Sequence, residues 1–464
     1  MKKSYIILML SSFFLWSCDN FDDEININPN LPNQASGTQL IASAQLSLSG
    51  LSASPKGAFM AQYLAETQYV GQSLYPQEST SFYGWYQGPL MDLETVITSD
   101  DLNANEGPVA NQVAVAKILK AYYFWNITDR WGDVPYSEAL QGSEDFTPAY
   151  DTQEFIYNDL FEELKEATGM MVPGNIDGDI IYGGDMEKWE KLGNTIRLLM
   201  ALRLSEVAPE KASEEFNLAW NAGVMSSNGD NFVFEHLNDA NNQNYWYNQV
   251  VDQNREWWAI TENLVEEMQP VNDPRLPVYA NPARATGEFV GMPYGIEEIE
   301  GAETEDYSLL GSEIFAQDAS IHLVTYAQVL FAVAEAAERS WISEDPEENY
   351  NMAVENSILQ WTGTSEGAAA FLSNPEISFN SDTALEQIAE QRWVHLYMFG
   401  YEAWSEWRRT GYPNDLVTPN GVEIPARLNY PDNEAFNNRE NYNQAVERQF
   451  GGEESIYGKV WWDE

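Results

Sequence analysis

The sequence predicts a mostly α-helical protein of paired helices, packed against an irregular, loop-rich part with little β structure. Apolar residues recur at helical spacing through long stretches, those stretches come in pairs separated by short breaks, and three segments lose the period altogether. In 109–128, Val115, Ile118, Leu119, Tyr122 and Trp125 share one face, with Lys117 and Lys120 off it. In 186–207, Trp189, Leu192, Ile196 and Leu199 repeat the spacing behind Asp185, a good N-cap. In 321–341, Ala327, Leu330, Phe331, Ala334, Ala337 and Trp341 form a small-residue face suited to close helix packing. Further helices are expected over 36–53, 86–99, 152–168, 209–221, 257–268, 347–361 and 383–407.

The period lapses over 71–84 and 225–256, which are rich in Gly, Asn, Gln and aromatics. It lapses again over 270–320, broken by Pro270, Pro274, Pro277, Pro282 and Pro293. Long irregular stretches in a compact protein are functional or disordered, and aromatic content argues for order. Short strands are expected near 231–235 and 288–290.

The N-terminus reads as a secretory signal over 1–17. Lys2 and Lys3 precede an apolar run from Tyr5 to Trp16, which as a helix reaches about 18 Å, short of a hydrocarbon core of ~30 Å. It ends Leu15-Trp16-Ser17-Cys18, similar to a lipobox apart from the bulky Trp16. Cys18 is the only cysteine, so no disulfide framework exists and lipidation at Cys18 explains the thiol. Residues 18–34, acidic and then Pro/Asn-rich, read as a tether, and 35–464 as a single domain.

The chain carries 23 Lys and Arg against 73 Asp and Glu. Loss of Lys2 and Lys3 with the signal leaves 21 against 73, a net charge of −52. Such a chain repels nucleic acid. With 44% hydrophobic residues it still buries a large core.

Catalytic motifs are weak. Gly363-Thr364-Ser365-Glu366-Gly367 fits G-x-S-x-G, but a predicted helix, not a strand, precedes it, so a glycine-rich helix terminus is expected. His236, His322 and His395 are dispersed, with no metal-ligand spacing. Asn175-Ile176-Asp177-Gly178-Asp179 lacks the closing Glu of a calcium loop, and no feature picks out two carboxylates for glycoside hydrolysis. No cofactor and no metal are expected.

Aromatics carry the stronger signal. Phe82, Tyr83, Trp85 and Tyr86 form one cluster, Tyr245, Trp246 and Tyr247 a second, and Trp257 and Trp258 a third. Asn241-Asn242-Gln243-Asn244 and Asn248-Gln249 flank the second. Flat rings beside amides suit carbohydrate, whose C–H face stacks while its hydroxyls hydrogen-bond. Trp85 and Trp258 also suit a core. The expected contacts are Tyr75, Tyr83, Trp85, Tyr245, Trp246, Tyr247 and Trp257, brought together from segments 75–86 and 245–257, with Trp246 foremost.

Six sequence blocks occur in order along the chain. They are Asn28-Pro29-Asn30, Asp129 through Tyr136, Tyr182 through Arg203, and Asp273-Pro274-Arg275-Leu276. Gln391 through Gly411 and Ile424 through Tyr442 complete the set. Together these blocks resemble the SusD/RagB family of nutrient-binding outer-membrane lipoproteins. The resemblance implies degenerate tetratricopeptide-type helix pairs and a SusC-like TonB-dependent transporter as partner. It also implies a surface-exposed lipoprotein in the outer membrane, and non-catalytic capture of an oligosaccharide or peptide. A surface glycoside hydrolase on a helical scaffold and a non-binding lid of the transporter are the alternatives. In the shared blocks, Arg408 or Arg409 is expected to pair with buried carboxylates.

Overall fold

A computed structural model describes residues 35–142, 145–299 and 301–463. The signal, Cys18 and the 18–34 tether lie outside the described residues.

The periodic segments form helices where local chemistry starts and stops them. Helix α1 (Gly37–Leu46) opens on a capping box in which Ser36 and Gln39 satisfy each other's backbone N–H groups. It packs on α2 (Met91–Thr98) and α3 (Val109–Trp131), the long helix at the centre of the fold. Helices α4 (Gln153–Gly169), α5 (Met186–Arg203) and α6 (Pro209–Ala222) follow; Thr152 and Asp185 cap the first two, and Pro209 opens the third. Then come α7 (Tyr326–Glu338), α8 (Pro346–Thr362), α9 (Ala384–His395), α10 (Gly400–Thr410) and α11 (Arg439–Phe450). The closest packing joins consecutive helices, α3 with α4, α5 with α6 and α7 with α8. The expected helix-pair architecture is therefore present.

Among the described residues the strands make three antiparallel two-stranded ribbons. They are β1 (Leu64–Glu66), β2 (Val134–Pro135), β3 (Tyr150–Asp151), β4 (Phe232–Phe234), β5 (Trp258–Ile260) and β6 (Ile321–Val324). Their pairing is β1–β5, β2–β3 and β4–β6. The strand expected near 231–235 is β4. None forms over 288–290, where Val290 instead accepts from the Ser308 backbone N–H at 2.8 Å.

Several expected helices are shorter than their apolar patterns: 36–53 divides into Gly37–Leu46 and Ser49–Ser52, and 86–99 is α-helical only over Met91–Thr98. Segment 257–268 divides because Trp258–Ile260 pairs with β1, and Thr261 then caps Glu262–Met268. Residues 321–324 pair with β4, and a Thr325–Gln328 capping box starts α7. Segment 383–407 breaks at 396–399, with Met398 at φ 64°. There Gly400 rests so close to Gly57 that an added Cβ would overlap the Gly57 carbonyl.

Between the helix pairs lies a buried ion network. Arg409 grips both oxygens of Glu335 at 2.6 and 2.7 Å and reaches Glu406 at 2.7 Å. Arg392 pairs with the same two carboxylates, and Arg203 spans Glu402 at 2.7 Å, Glu406 at 2.9 Å and Asp129 at 3.4 Å. One network thus ties α3, α5, α7, α9 and α10. Burial pushes the Glu335 carboxyl up, but the guanidinium of Arg409, with Arg392 and Arg339, brings it down to about 2.

Two loop motifs resolve as scaffold. Gly363 is the left-handed cap that ends α8 (φ 74°), so Gly363–Gly367 is a helix terminus. The Asp179 carboxylate accepts from Gln45 Nε2, Gly184 N and Trp189 Nε1, each at 2.8 Å, and so closes its own loop with protein donors.

Candidate ligand-binding site

The β1–β5 ribbon builds a rigid floor from two sequence-distant segments. Register sets Glu66 opposite Trp258, and the Trp258 indole N–H donates to Glu66 Oε1 at 2.9 Å. Burial raises the Glu66 carboxyl above its ordinary value, partly offset by the indole N–H groups of Trp258 and Trp257. Trp258 is 4% exposed, and its ring stands edge-on to Trp246 at 5.3 Å and 84°.

Trp257 immediately precedes β5. Its carbonyl accepts from Thr67 N at 2.8 Å, which fixes the backbone while the ring remains half-buried. Tyr69, 56% exposed, meets that ring at 5.4 Å and 75°. The pair thus presents aromatic surface on backbone that the ribbon holds.

Beside it opens a cavity of about 240 Å³, lined by Trp257 with Val250, Asn254, Leu309 and Phe315 among others. Its guanidinium groups are engaged by protein partners. The Arg255 guanidinium lies 5.8 Å from the Trp257 ring and donates to Gln249 Oε1 at 2.6 Å. Arg284 pairs with Glu256. The amide of Asn281 is held by the Leu310 carbonyl at 2.8 Å, while Asn254 and Gln253 are exposed on the neighbouring turn. Aromatic faces with uncharged donors and acceptors suit an uncharged hydroxyl-rich ligand.

The structure relocates several expected contacts. Trp246 is 1% exposed and belongs to the core: Asn244 caps the short turn Tyr245–Tyr247, which drives this ring inward against Trp258 while Tyr245 and Tyr247 stay half-buried. Tyr75 is also a core residue, 3% exposed, its phenol accepting from Gln62 Nε2 at 2.7 Å and its ring packed on Tyr294. Trp85 is half-buried against Tyr123, at 5.8 Å. Tyr83 donates to Glu434 and lines a different cavity, with no lining residue in common with the first. The two segments expected to converge on one ligand therefore do not share a cavity.

Sequence reasoning missed Tyr69, Asn254 and the wall at Leu309 and Phe315. Tyr69 sits beside Gln68 just before the segment singled out as a loop; nothing local pairs it with Trp257.

Residues 29–431 match the sequence profile of the SusD-like family, described as starch-binding associating with outer membrane. No curated protein sequence matches the chain. Among solved structures, a chitin-binding protein is 30% identical, covering 92% of this chain and 100% of its own, with a TM-score of 0.81. A SusD homolog from Bacteroides fragilis is 26% identical over 93% of this chain and 100% of its own, with a TM-score of 0.81. A chitin-binding SusD homolog from Flavobacterium johnsoniae shares the fold at 23% identity and a TM-score of 0.76, over 92% of this chain and 98% of its own. With the helix pairs in place and the profile spanning nearly all of the described chain, this protein belongs to the SusD-like family.

Proposed function

We propose that this protein captures a neutral oligosaccharide at the outer membrane and holds it on the Tyr69–Trp257 platform. The observation that carries the reading is that ring pair, Tyr69 exposed and Trp257 half-buried, beside amides on a backbone fixed by β1–β5. Each stacked ring contributes about 0.5–1.5 kcal/mol beyond area burial. The strongly acidic chain disfavours polyanionic glycans, and the groove guanidinia are already engaged. The family description and the chitin-binding relative support a glycan over a peptide.

Capture is non-catalytic. Glycoside hydrolysis uses two flanking carboxylates; among the described residues lining the groove, Glu256 is the one carboxylate, and Arg284 pairs with it. Cys18 carries the lipid anchor, 18–34 is the tether, and the chain is exposed on the cell surface. A SusC-like TonB-dependent transporter takes the ligand onward, so a weak site suffices where a tethered partner supplies high effective concentration. No helix among the described residues is long and apolar enough to cross a membrane.

The test is a binding panel on the mature protein: chito-oligosaccharides, malto-oligosaccharides, polyuronates and peptides. Saturable binding of a neutral oligosaccharide without release of shorter sugars is expected. Binding confined to peptides, or cleavage of the sugar, overturns the reading. A mild-detergent pull-down should recover the transporter barrel; recovery of this chain alone while the barrel is expressed removes the partner from the account.

A further inference from the structure

The Phe82–Tyr86 cluster is not used by the platform, yet it lines a cavity of its own. That cavity measures about 400 Å³ and lies between Phe82–Met91, residues 139–142 and 145–148, and Glu434, within the range of about 300–1,000 Å³ typical of small-molecule sites. Tyr83 donates its hydroxyl to Glu434, and Tyr86 donates to the Pro135 carbonyl at 2.6 Å. With both phenols engaged by protein, the rings leave mainly carbon surface for a ligand.

Among the described lining residues, both carboxylates accept hydrogen bonds from uncharged protein donors. The second Glu434 oxygen accepts from the Tyr150 hydroxyl at 2.5 Å, and Asp145 accepts from Thr147 N at 2.8 Å. Uncharged amides of Gln87 and Gln141 are exposed among the lining residues. Phe146, another lining residue, is 78% exposed, a large ring presented to water. Exposed ring surface and free amides are features this cavity shares with the Tyr69–Trp257 platform.

We propose that this cavity is a second saccharide site, taking a neutral sugar unit by stacking on Phe146 and Tyr83 with hydrogen bonds from Gln87 and Gln141. It rests on the glycan-capture reading and extends it, because two sites on one chain retain a long glycan better than either alone.

The test is calorimetric titration of the mature full chain with chitotriose and maltotriose, chosen as short probes. Wild type should bind two equivalents of one of them, and Trp257→Ala should retain one. Adding Phe146→Ala to Trp257→Ala should weaken the remaining site about tenfold, the effect of losing one stacked ring of roughly 1.4 kcal/mol. Phe146 is exposed enough for its truncation to leave the fold intact, and Gln87→Ala supplies an independent variant expected to weaken the same site. A single equivalent lost in Trp257→Ala and unaffected by Phe146→Ala or Gln87→Ala overturns the second site and leaves the platform standing. A single equivalent lost in Phe146→Ala and unaffected by Trp257→Ala overturns the platform and upholds the second site. Absence of binding by wild type to either trisaccharide overturns both.

Discussion

Replacing Trp246 with Ala separates a core role from a ligand-binding one. The ring is 1% exposed and meets Tyr245 at 5.2 Å and 83° and Trp258 at 5.3 Å and 84°. Truncating a buried tryptophan costs about 3–5 kcal/mol, through lost transfer energy and the cavity left behind. Two edge-to-face contacts of about 0.5–1.5 kcal/mol each place this site toward the upper end, near 4–5 kcal/mol. Relaxation is restricted, because Trp258 is pinned by Glu66 and by its strand pairing. The assay is equilibrium unfolding in urea, with glycan affinity measured on the folded protein under native conditions. Trp246→Ala should lower the unfolding free energy by that amount and leave affinity essentially unchanged. A loss of stability below about 1 kcal/mol would refute the burial argument. Loss of affinity at unchanged stability would return Trp246 to the ligand surface.

Glu335 titrates near 2 in the fold against 4.5 ordinarily, so its stabilisation is fully present above pH 4.5 and is lost as pH falls toward 2. Acid unfolding of wild type should lose about 3 kcal/mol from this group across that window, and Glu335→Gln should show a flatter profile there; identical profiles would contradict the ion-network account. Gly400→Ala drives a methyl into the Gly57 backbone and should cost about 3 kcal/mol or more, read as a lowered Tm; an unchanged Tm would mean that α10 can move. Cys18→Ala should release the protein from the outer membrane, and globomycin should block processing of the wild-type precursor; processing insensitive to globomycin would sink the lipid anchor.

Helix content was legible because the apolar stripes of α3, α5 and α7 repeat over several turns, and caps such as Asp185 mark where helices start. Short strands were hard to read. Trp258–Ile260 and Ile321–Val324 each abut a real helix, so their apolar residues merge into its period. The aromatic character of the candidate groove was legible, but the grouping of its residues in space was not. Trp257 lines the groove, whereas its ring partner Tyr69 arrives through β1–β5 pairing, which a local window cannot reveal. Trp246 was misplaced for a related reason: polar neighbours made its cluster resemble a surface loop, yet one ring of a single short turn faces inward. The pairing of Arg409 with Glu335 and Glu406 was anticipated in kind from its block, while the five-helix extent of that network depends on tertiary packing.

The most direct test of glycan capture is titration of neutral oligosaccharides into wild type and Trp257→Ala, with unfolding followed in parallel. Truncating a stacking ring at a binding hot spot costs ~2 kcal/mol or more, close to thirtyfold in affinity. Trp257→Ala should weaken binding at the platform by about that factor, while the half-buried ring's removal lowers stability far less than Trp246→Ala does. Unchanged affinity at every saccharide site of a folded Trp257→Ala protein would contradict the assignment of the platform.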